Sequence, residues 1–112
     1  MSQSTEKIWK TLQQVPTGKV VTYGQLADLA GLPGRARLAA RALRVAPKEM
    51  ALPWYRVIGA GGKISIPKDN PGFARQMELL RSEEVVVNNG RLKLSEYQWQ
   101  PDLADLMWRL EF

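Results

Sequence analysis

Leu52-Pro53-Trp54-Tyr55-Arg56-Val57-Ile58-Gly59, followed by Ala60-Gly61-Gly62-Lys63-Ile64-Ser65, is the stretch around which the rest of the chain is arranged. Its apolar run is broken by two consecutive aromatics and an arginine. Successive side chains of a strand point to opposite faces, so a core strand would not normally place Trp54, Tyr55 and Arg56 in a row. The pattern asks for a wide aromatic surface on a rigid backbone. Pro53 fixes φ just before it, and the glycine turn at 59–62 is expected to close a short hairpin just after it. A core tryptophan leading into a hairpin accounts for the same residues and is the simpler account taken alone. The helical region upstream tells against it.

There, Thr22-Tyr23-Gly24-Gln25 reads as a capping box in which Thr22 caps a helix and Gln25 reaches back. Such a start is worth on the order of 1 kcal/mol. The helix runs to about Ala30, with Leu26 and Leu29/Ala30 inward, and Gly31-Leu32-Pro33-Gly34 is the turn. A second helix spans about 35–45. On it Arg37, Arg41 and Arg44 fall at i, i+4 and i+7 and form one stripe, with Leu38, Ala39, Ala42, Leu43 and Val45 covering the rest. The alanines keep this helix slim enough for close approach to a partner. Helix, glycine-containing turn and basic helix is the order of a helix-turn-helix.

An arginine stripe is usually a solvated surface, but surface helices intersperse both signs. Residues 29–48 carry Arg35, Arg37, Arg41, Arg44 and Lys48 without one Asp or Glu. The chain as a whole holds 16 basic and 11 acidic residues, net +5, so its basic surplus is local, as in an element facing a polyanion. The helix that begins after Thr22 adds a second sign of this. Its N-terminus is expected to turn Tyr23 and the free amides of Gly24 and Gln25 outward, where phosphates bind. Glycine at that place permits close backbone approach.

The absences narrow the function. A chain of 112 residues fits one domain, 1–112, able to bury about two-thirds of its unfolded surface. It has no cysteine and no histidine, which removes disulfides, thiolate chemistry, Cys/His zinc sites and histidine-based triads. A carboxylate-only metal site would need an Asp/Glu cluster that is not there, so neither metal nor cofactor is expected. The remaining Asp, Glu, Lys, Tyr and Ser show no catalytic spacing. The glycines at 59–62 do not make a phosphate loop, because Val57 stands where its first glycine belongs and Ile64 where its Ser/Thr belongs. No apolar run approaches a membrane span, and Met1-Ser2-Gln3 leads into a polar helix rather than a signal peptide. A cytoplasmic protein without membrane attachment is expected.

Elsewhere, residues from about 4 to 14 read as a helix with Ile8 and Leu12 on one face and Trp9 in the core, ended by Pro16 and Gly18. Asn70 caps a further helix with Pro71 at its first position. Phe73, Met77 and Leu80 carry that helix to about Ser82. Residues 85–94 read as a hairpin. In the tail at 101–112, Leu103, Leu106, Met107 and Leu110 recur at helical spacing and are expected to pack on the body. The chain reads as mainly α with short β-hairpins.

The Thr-Tyr-Gly-Gln-Leu-Ala start, the basic helix and Pro53-Trp54-Tyr55-Arg56-Val57, in order and at matching spacing, resemble the DNA-binding domain of the O6-alkylguanine-DNA alkyltransferases. More specifically they resemble the alkyltransferase-like proteins, which lack the reactive cysteine. The resemblance covers about residues 5–99, with 101–112 a C-terminal extension, and implies a winged helix-turn-helix-like DNA-binding domain. In the transferases the signature is Pro-Cys-His-Arg-Val and the cysteine takes the alkyl group. Trp54 stands at the acceptor position, and an indole offers no thiolate, so suicide transfer is chemically impossible. Tyr55 replaces the histidine of the relay that activates the cysteine. That relay ends in a glutamate whose place Glu83 takes, here as a structural residue.

The resemblance assigns the remaining roles. Tyr23 falls on the tyrosine that rotates the target phosphate. Counting without gaps from Tyr23 and from Trp54 puts the arginine finger on Arg37, although the local string Ala39-Ala40-Arg41-Ala42 invites Arg41. Arg41 and Arg44 become phosphate contacts, beside Gly24. Trp54, Tyr55, Arg56, Val57, Leu43 and Asn70 match the lesion pocket. An asparagine that braces the helix-turn-helix is replaced by Ala46.

The implied function is a monomeric, non-enzymatic sensor. It binds double-stranded DNA containing O6-alkylguanine, flips the base through the minor groove and signals to nucleotide excision repair proteins. Two other classes stay open. One is a transcriptional helix-turn-helix protein. The other is a protein-interaction module using the acidic tail (Glu96, Asp102, Asp105 and Glu111 against Arg109) and its apolar stripe.

Overall fold

The computed structural model describes residues 2–110. Helix α1 spans Gln3–Gln13, β1 Val21–Thr22, α2 Tyr23–Leu29, α3 Ala36–Arg44, β2 Val57–Ile58, α4 Pro71–Ser82, α5 Leu94–Tyr97 and α6 Leu103–Leu110. Short 3-10 turns occupy Lys48–Met50, Trp54–Arg56 and Ala60–Gly62. The mainly helical architecture follows the sequence pattern. The helix starts are set locally: Ser2 accepts from the Thr5 N–H, Thr22 from Gln25 and Asn70 from Gly72, with Pro71 just inside α4.

Two cores lie on either side of a two-stranded parallel sheet, in which Val21 pairs with Val57 and Thr22 with Ile58. Neighbouring strand residues face opposite ways. Val21 and Val57 accordingly enter one core with Ile8, Leu12 and Leu26, and Val20 and Ile58 enter the other with Leu80, Val85 and Val87. Trp9 is buried in the first core, and its indole N–H donates to the Ala42 carbonyl at 2.8 Å. That bond ties α1 to α3 near Ala46, where no asparagine brace is available.

Several expectations are corrected. The turn at 59–62 does not close a hairpin onto Val57–Ile58. It is closed by two bonds, Gly59 N–H to the Lys63 carbonyl at 2.8 Å and Gly62 N–H to the Gly59 carbonyl at 3.1 Å, and the other bonds of 62–64 go elsewhere, Leu92 N–H to Gly62 O at 2.9 Å and Ile64 N–H to Gly90 O at 2.8 Å. Gly62 is required there: its φ is +84°, and a Cβ would lie 2.2 Å from the Leu92 carbonyl oxygen. Val57 and Ile58, buried on both faces, are claimed by β1 instead.

The hairpin expected at 85–94 is confined to its tip. Asn88 and Arg91 exchange both bonds (2.9 and 3.0 Å) around Asn89 and Gly90, which have φ of 53° and 73°. Positive φ at both central residues is the tight type I′ turn. The capping box is half formed. Gln25 does not reach back: its amide nitrogen donates to Trp99 O at 2.7 Å and its oxygen accepts from Gln98 at 2.8 Å. In the tail, Leu106 and Leu110 are buried as expected, but Leu103 and Met107 are exposed, because α6 rests on only one edge of its apolar arc. Glu111, and the tail beyond it, lie outside the described residues. No helix among those described is long and apolar enough to cross a membrane.

Candidate nucleic-acid interface

Helices α2 and α3 are joined by the turn at 30–35 and pack together through Leu26, Ala27, Ala39 and Ala42. Burying the alanine side of α3 leaves Arg37, Arg41 and Arg44 exposed. Among the described residues no ion pair holds any of them. Their charge is therefore available to a partner.

Beside α3 lies an open cleft of about 740 Å³, within the usual range for ligand sites of about 300–1,000 Å³. Ala36, Arg37, Ala40, Leu43 and Arg44 form one wall, and Tyr23, Trp54, Ser65, Ile66, Pro67 and Asn70 complete the lining. Tyr23, at the first turn of α2, has its hydroxyl 3.3 Å from Ser65 Oγ, across the cleft mouth. Trp54 is half-buried and belongs to neither core. Its ring meets Tyr55 edge-on, with centroids 5.9 Å apart and planes at 87°, the preferred quadrupolar arrangement. An indole presented to a cleft in this way is a flat surface for another flat group.

The turn carrying Trp54 is held from behind. Gln76, buried on α4, donates from Nε2 to the Tyr55 and Val57 carbonyls at 3.1 and 3.0 Å. The Tyr55 hydroxyl donates to Glu83 Oε2 at 2.7 Å. Arg56 donates to Glu83 through Nε (3.0 Å) and one terminal nitrogen (2.6 Å), and to the Val15 carbonyl at 2.9 Å. The Gly18 N–H supplies a further donor to Glu83 at 2.9 Å.

Burial alone would raise the Glu83 carboxyl, but these donors, Arg56 first, outweigh it and hold Glu83 below the usual carboxylate range. The hydrogen bond to Glu83 raises Arg56 in return, against its desolvation. Burial and then the Glu83 bond push the Tyr55 phenol up. It stays protonated and donating.

The residues singled out in the sequence thus separate into groups. Tyr23, Arg37, Leu43, Arg44, Trp54 and Asn70 line the cleft together. Arg41 lies outside it, along the exposed side of α3. Gly24 sits just outside; a Cβ there would meet nothing within 4 Å, so the fold itself does not demand glycine. The Gln25 amide is not free, being taken by Thr22 Oγ1 at 3.0 Å. Tyr55 and Arg56 lie behind the tryptophan, and Val57 is 1 % exposed in the core. Sequence pattern did not single out Ala36, Ala40, Ser65, Ile66, Pro67 or Gln76. Helical spacing was the available signal for the first two, since 36, 37, 40, 43 and 44 share one face. Among the described residues no cluster of acidic side chains could hold a metal.

Known proteins are similar to this chain in sequence and in fold. The family described as 6-O-methylguanine DNA methyltransferase, DNA binding domain, matches residues 3–85. A protein of Vibrio parahaemolyticus named DNA base-flipping protein is 41% identical over 102 residues, 90% of this chain and 100% of the relative. The crystal structure of S. pombe Atl1 in complex with damaged DNA containing O6-carboxymethylguanine superposes with a TM-score of 0.81 at 34% identity, covering 90% of this chain and 98% of that one. The Mycobacterium tuberculosis O6-methylguanine methyltransferase gives 0.63 at 34% identity over 75% of this chain, which spans 50% of its length.

Proposed function

The chain belongs to the family of the 6-O-methylguanine DNA methyltransferase DNA-binding domain, and on that premise we propose that it is a non-enzymatic DNA damage sensor. It binds double-stranded DNA containing O6-alkylguanine, flips the modified base out through the minor groove and flags it for nucleotide excision repair in the cytoplasm. The observation that carries this reading is Trp54 lining an open cleft, at the position where the resemblance puts the acceptor cysteine of the transferases. With no cysteine anywhere in the chain, the lesion is held and not repaired.

Each side chain has a task set by its place. Trp54 offers its indole to the extruded purine, a contact worth about 1–3 kcal/mol per base. That offsets much of the flipping cost of a few kcal/mol, which is lowest at a damaged pair. Arg37 fills the gap left in the duplex, and Tyr23 turns the target phosphate at the cleft mouth. Arg41 and Arg44 neutralise flanking phosphates, and Gly24 lets the backbone approach. Leu43 and Asn70 close the pocket side. Tyr55, Arg56 and Val57 act from behind by fixing the turn that carries Trp54. The names of the relatives support the sensor reading as a whole: one is called base-flipping, and another was solved on damaged DNA.

The test is a titration of otherwise identical duplexes with and without O6-methylguanine at several salt concentrations. Tighter binding to the modified duplex at every salt is expected. Equal affinity for the two would reduce the protein to a general DNA-binding domain.

A further inference from the structure

We propose that a second groove, adjoining the cleft along Ser65-Ile66-Pro67, is a track for the phosphodiester backbone of the bound DNA, held by Lys63 and Lys68. The groove measures about 420 Å³. Ser65, Ile66 and Pro67 line both hollows, so the two are continuous along that segment. Lys63 and Lys68 supply all the charge in the groove lining, and no Asp or Glu lines either hollow. Both lysines are exposed, and among the described residues no ion pair holds them. Of the charges just outside, Asp69 follows Lys68 in sequence and Arg91 faces Lys63 across an antiparallel bridge. Those two offset each other, and the lining itself is purely cationic, as a surface for a polyanion must be.

The rest of the lining suits the sugars that alternate with phosphates along a strand, because Phe73, Ile66 and Pro67 give it apolar surface. The groove is also rigid. The Phe73 ring lies so close to Gly90 that a Cβ there would fall 2.6 Å from its Cζ. The segment carrying Lys63 is fixed by the Gly59 N–H bond to the Lys63 carbonyl at 2.8 Å. A site already in shape costs little to order on binding. Ser65 gives the direction: its Oγ lies 3.3 Å from the Tyr23 hydroxyl, and Tyr23 is the residue read as turning the target phosphate. That phosphate thus sits where cleft and groove meet, and the next ones along the strand run to the lysines. The inference rests on this reading of the cleft. Phosphate contacts set register and affinity without reading bases, so Lys63 and Lys68 hold any duplex while the cleft selects the lesion.

The probes are an O6-methylguanine duplex with the lesion central or close to either end, and the unmodified twin of each, titrated over a range of salt. On the central-lesion duplex the double variant Lys63→Ala, Lys68→Ala should lose at least about tenfold in affinity at low salt, with the salt slope cut by about 1.8, about 0.9 per phosphate. Both positions are exposed, so the cores stay intact. The ratio of modified to unmodified affinity should keep its wild-type value. Moving the lesion to one end removes the strand that the groove would hold, and there the variant and the wild type should bind alike. Moving it to the other end should preserve their difference. At matched ionic strength, inorganic phosphate should compete no better than chloride. A wild-type slope in the double variant, or an equal loss with the lesion at either end, would overturn the inference. So would phosphate that competes better than chloride in the wild type but not in the double variant, since the groove would then serve a small phosphate-bearing ligand. A wild type without preference for the modified duplex counts against the sensor alone, because the change of slope on unmodified DNA still decides the groove.

Discussion

The Tyr55 hydroxyl donates to Glu83 Oε2 at 2.7 Å while the Tyr55 ring supports Trp54 edge-on. The Arg56 guanidinium carbon stands 5.5 Å from the centroid of the same ring. A carboxylate at the end of α4 is thereby connected, through one phenol, to the indole in the cleft. Where the resemblance to the transferases puts a histidine that activates sulfur, this chain has a phenol whose proton is held by Glu83.

Tyr55→Phe removes the bond and keeps the ring. Glu83 retains Arg56 and the Gly18 amide, so the loss is that of one hydrogen bond to a charged group, about 1.5–3 kcal/mol. Residual water access brings the expected value to about 1.5 kcal/mol, measured as a lowered urea midpoint at unchanged slope. A midpoint equal to wild type would mean that the phenol finds an equivalent partner in solvent.

Glu83 makes stability depend on pH in a fixed direction. Its folded carboxyl lies below its ordinary value of 4.5. The contribution is therefore fully present above that ordinary value and is lost as pH falls through the lowered one. Glu83→Gln leaves Arg56 without its counter-charge and should cost about 3 kcal/mol at neutral pH. Unfolding of the two proteins between about pH 7 and about pH 3 should show their stabilities converging on the acid side. A constant gap down to the acid end would mean that another carboxylate dominates.

How much of this was readable in advance follows from the range of each interaction. Thr22 and Asn70 caps act within three residues, and the helices they start were legible. Gln25 satisfied the local pattern of a capping box, yet Trp99 and Gln98, more than seventy residues away, outcompete the local partner. The pairing of Val57 with Val21 is equally non-local, so the glycines at 59–62 suggested a hairpin that the second core does not permit. The arginine stripe was legible as a stripe. It did not show that Arg37 and Arg44 border the cleft while Arg41 lies outside, because that depends on where Ile66 and Pro67 place the opposite wall.

Arg37→Ala should weaken binding to an O6-methylguanine duplex more than Arg44→Ala, although both line the cleft. A finger is engaged only when a base has left the stack, whereas a phosphate is met on any duplex. Arg41→Ala and Arg44→Ala should therefore lower affinity for modified and unmodified DNA alike, each reducing the salt slope by about 0.9 for the phosphate it no longer neutralises. Arg37→Ala should reduce the preference for the modified duplex itself. Equal effects at 37 and 44 on both duplexes would return Arg37 to the standing of an ordinary phosphate-binding residue.

Trp54→Cys should not produce an efficient methyl acceptor, even though it puts sulfur at the position that the resemblance matches to the transferases' acceptor. An unassisted thiol has a pKa of about 8.5 and attacks slowly unless a base or a cation lowers it. The neighbouring phenol cannot serve as that base, because burial and Glu83 push it up and keep its proton in place. The charge of Arg56 is spent on Glu83 and the Val15 carbonyl. Adding Tyr55→His to Trp54→Cys supplies an imidazole next to Glu83, and the double variant should transfer methyl groups faster than the single one. Incubation with labelled O6-methylguanine duplex and a count of label on protein separates the cases. Stoichiometric transfer by Trp54→Cys alone would show that the histidine relay is dispensable in this fold.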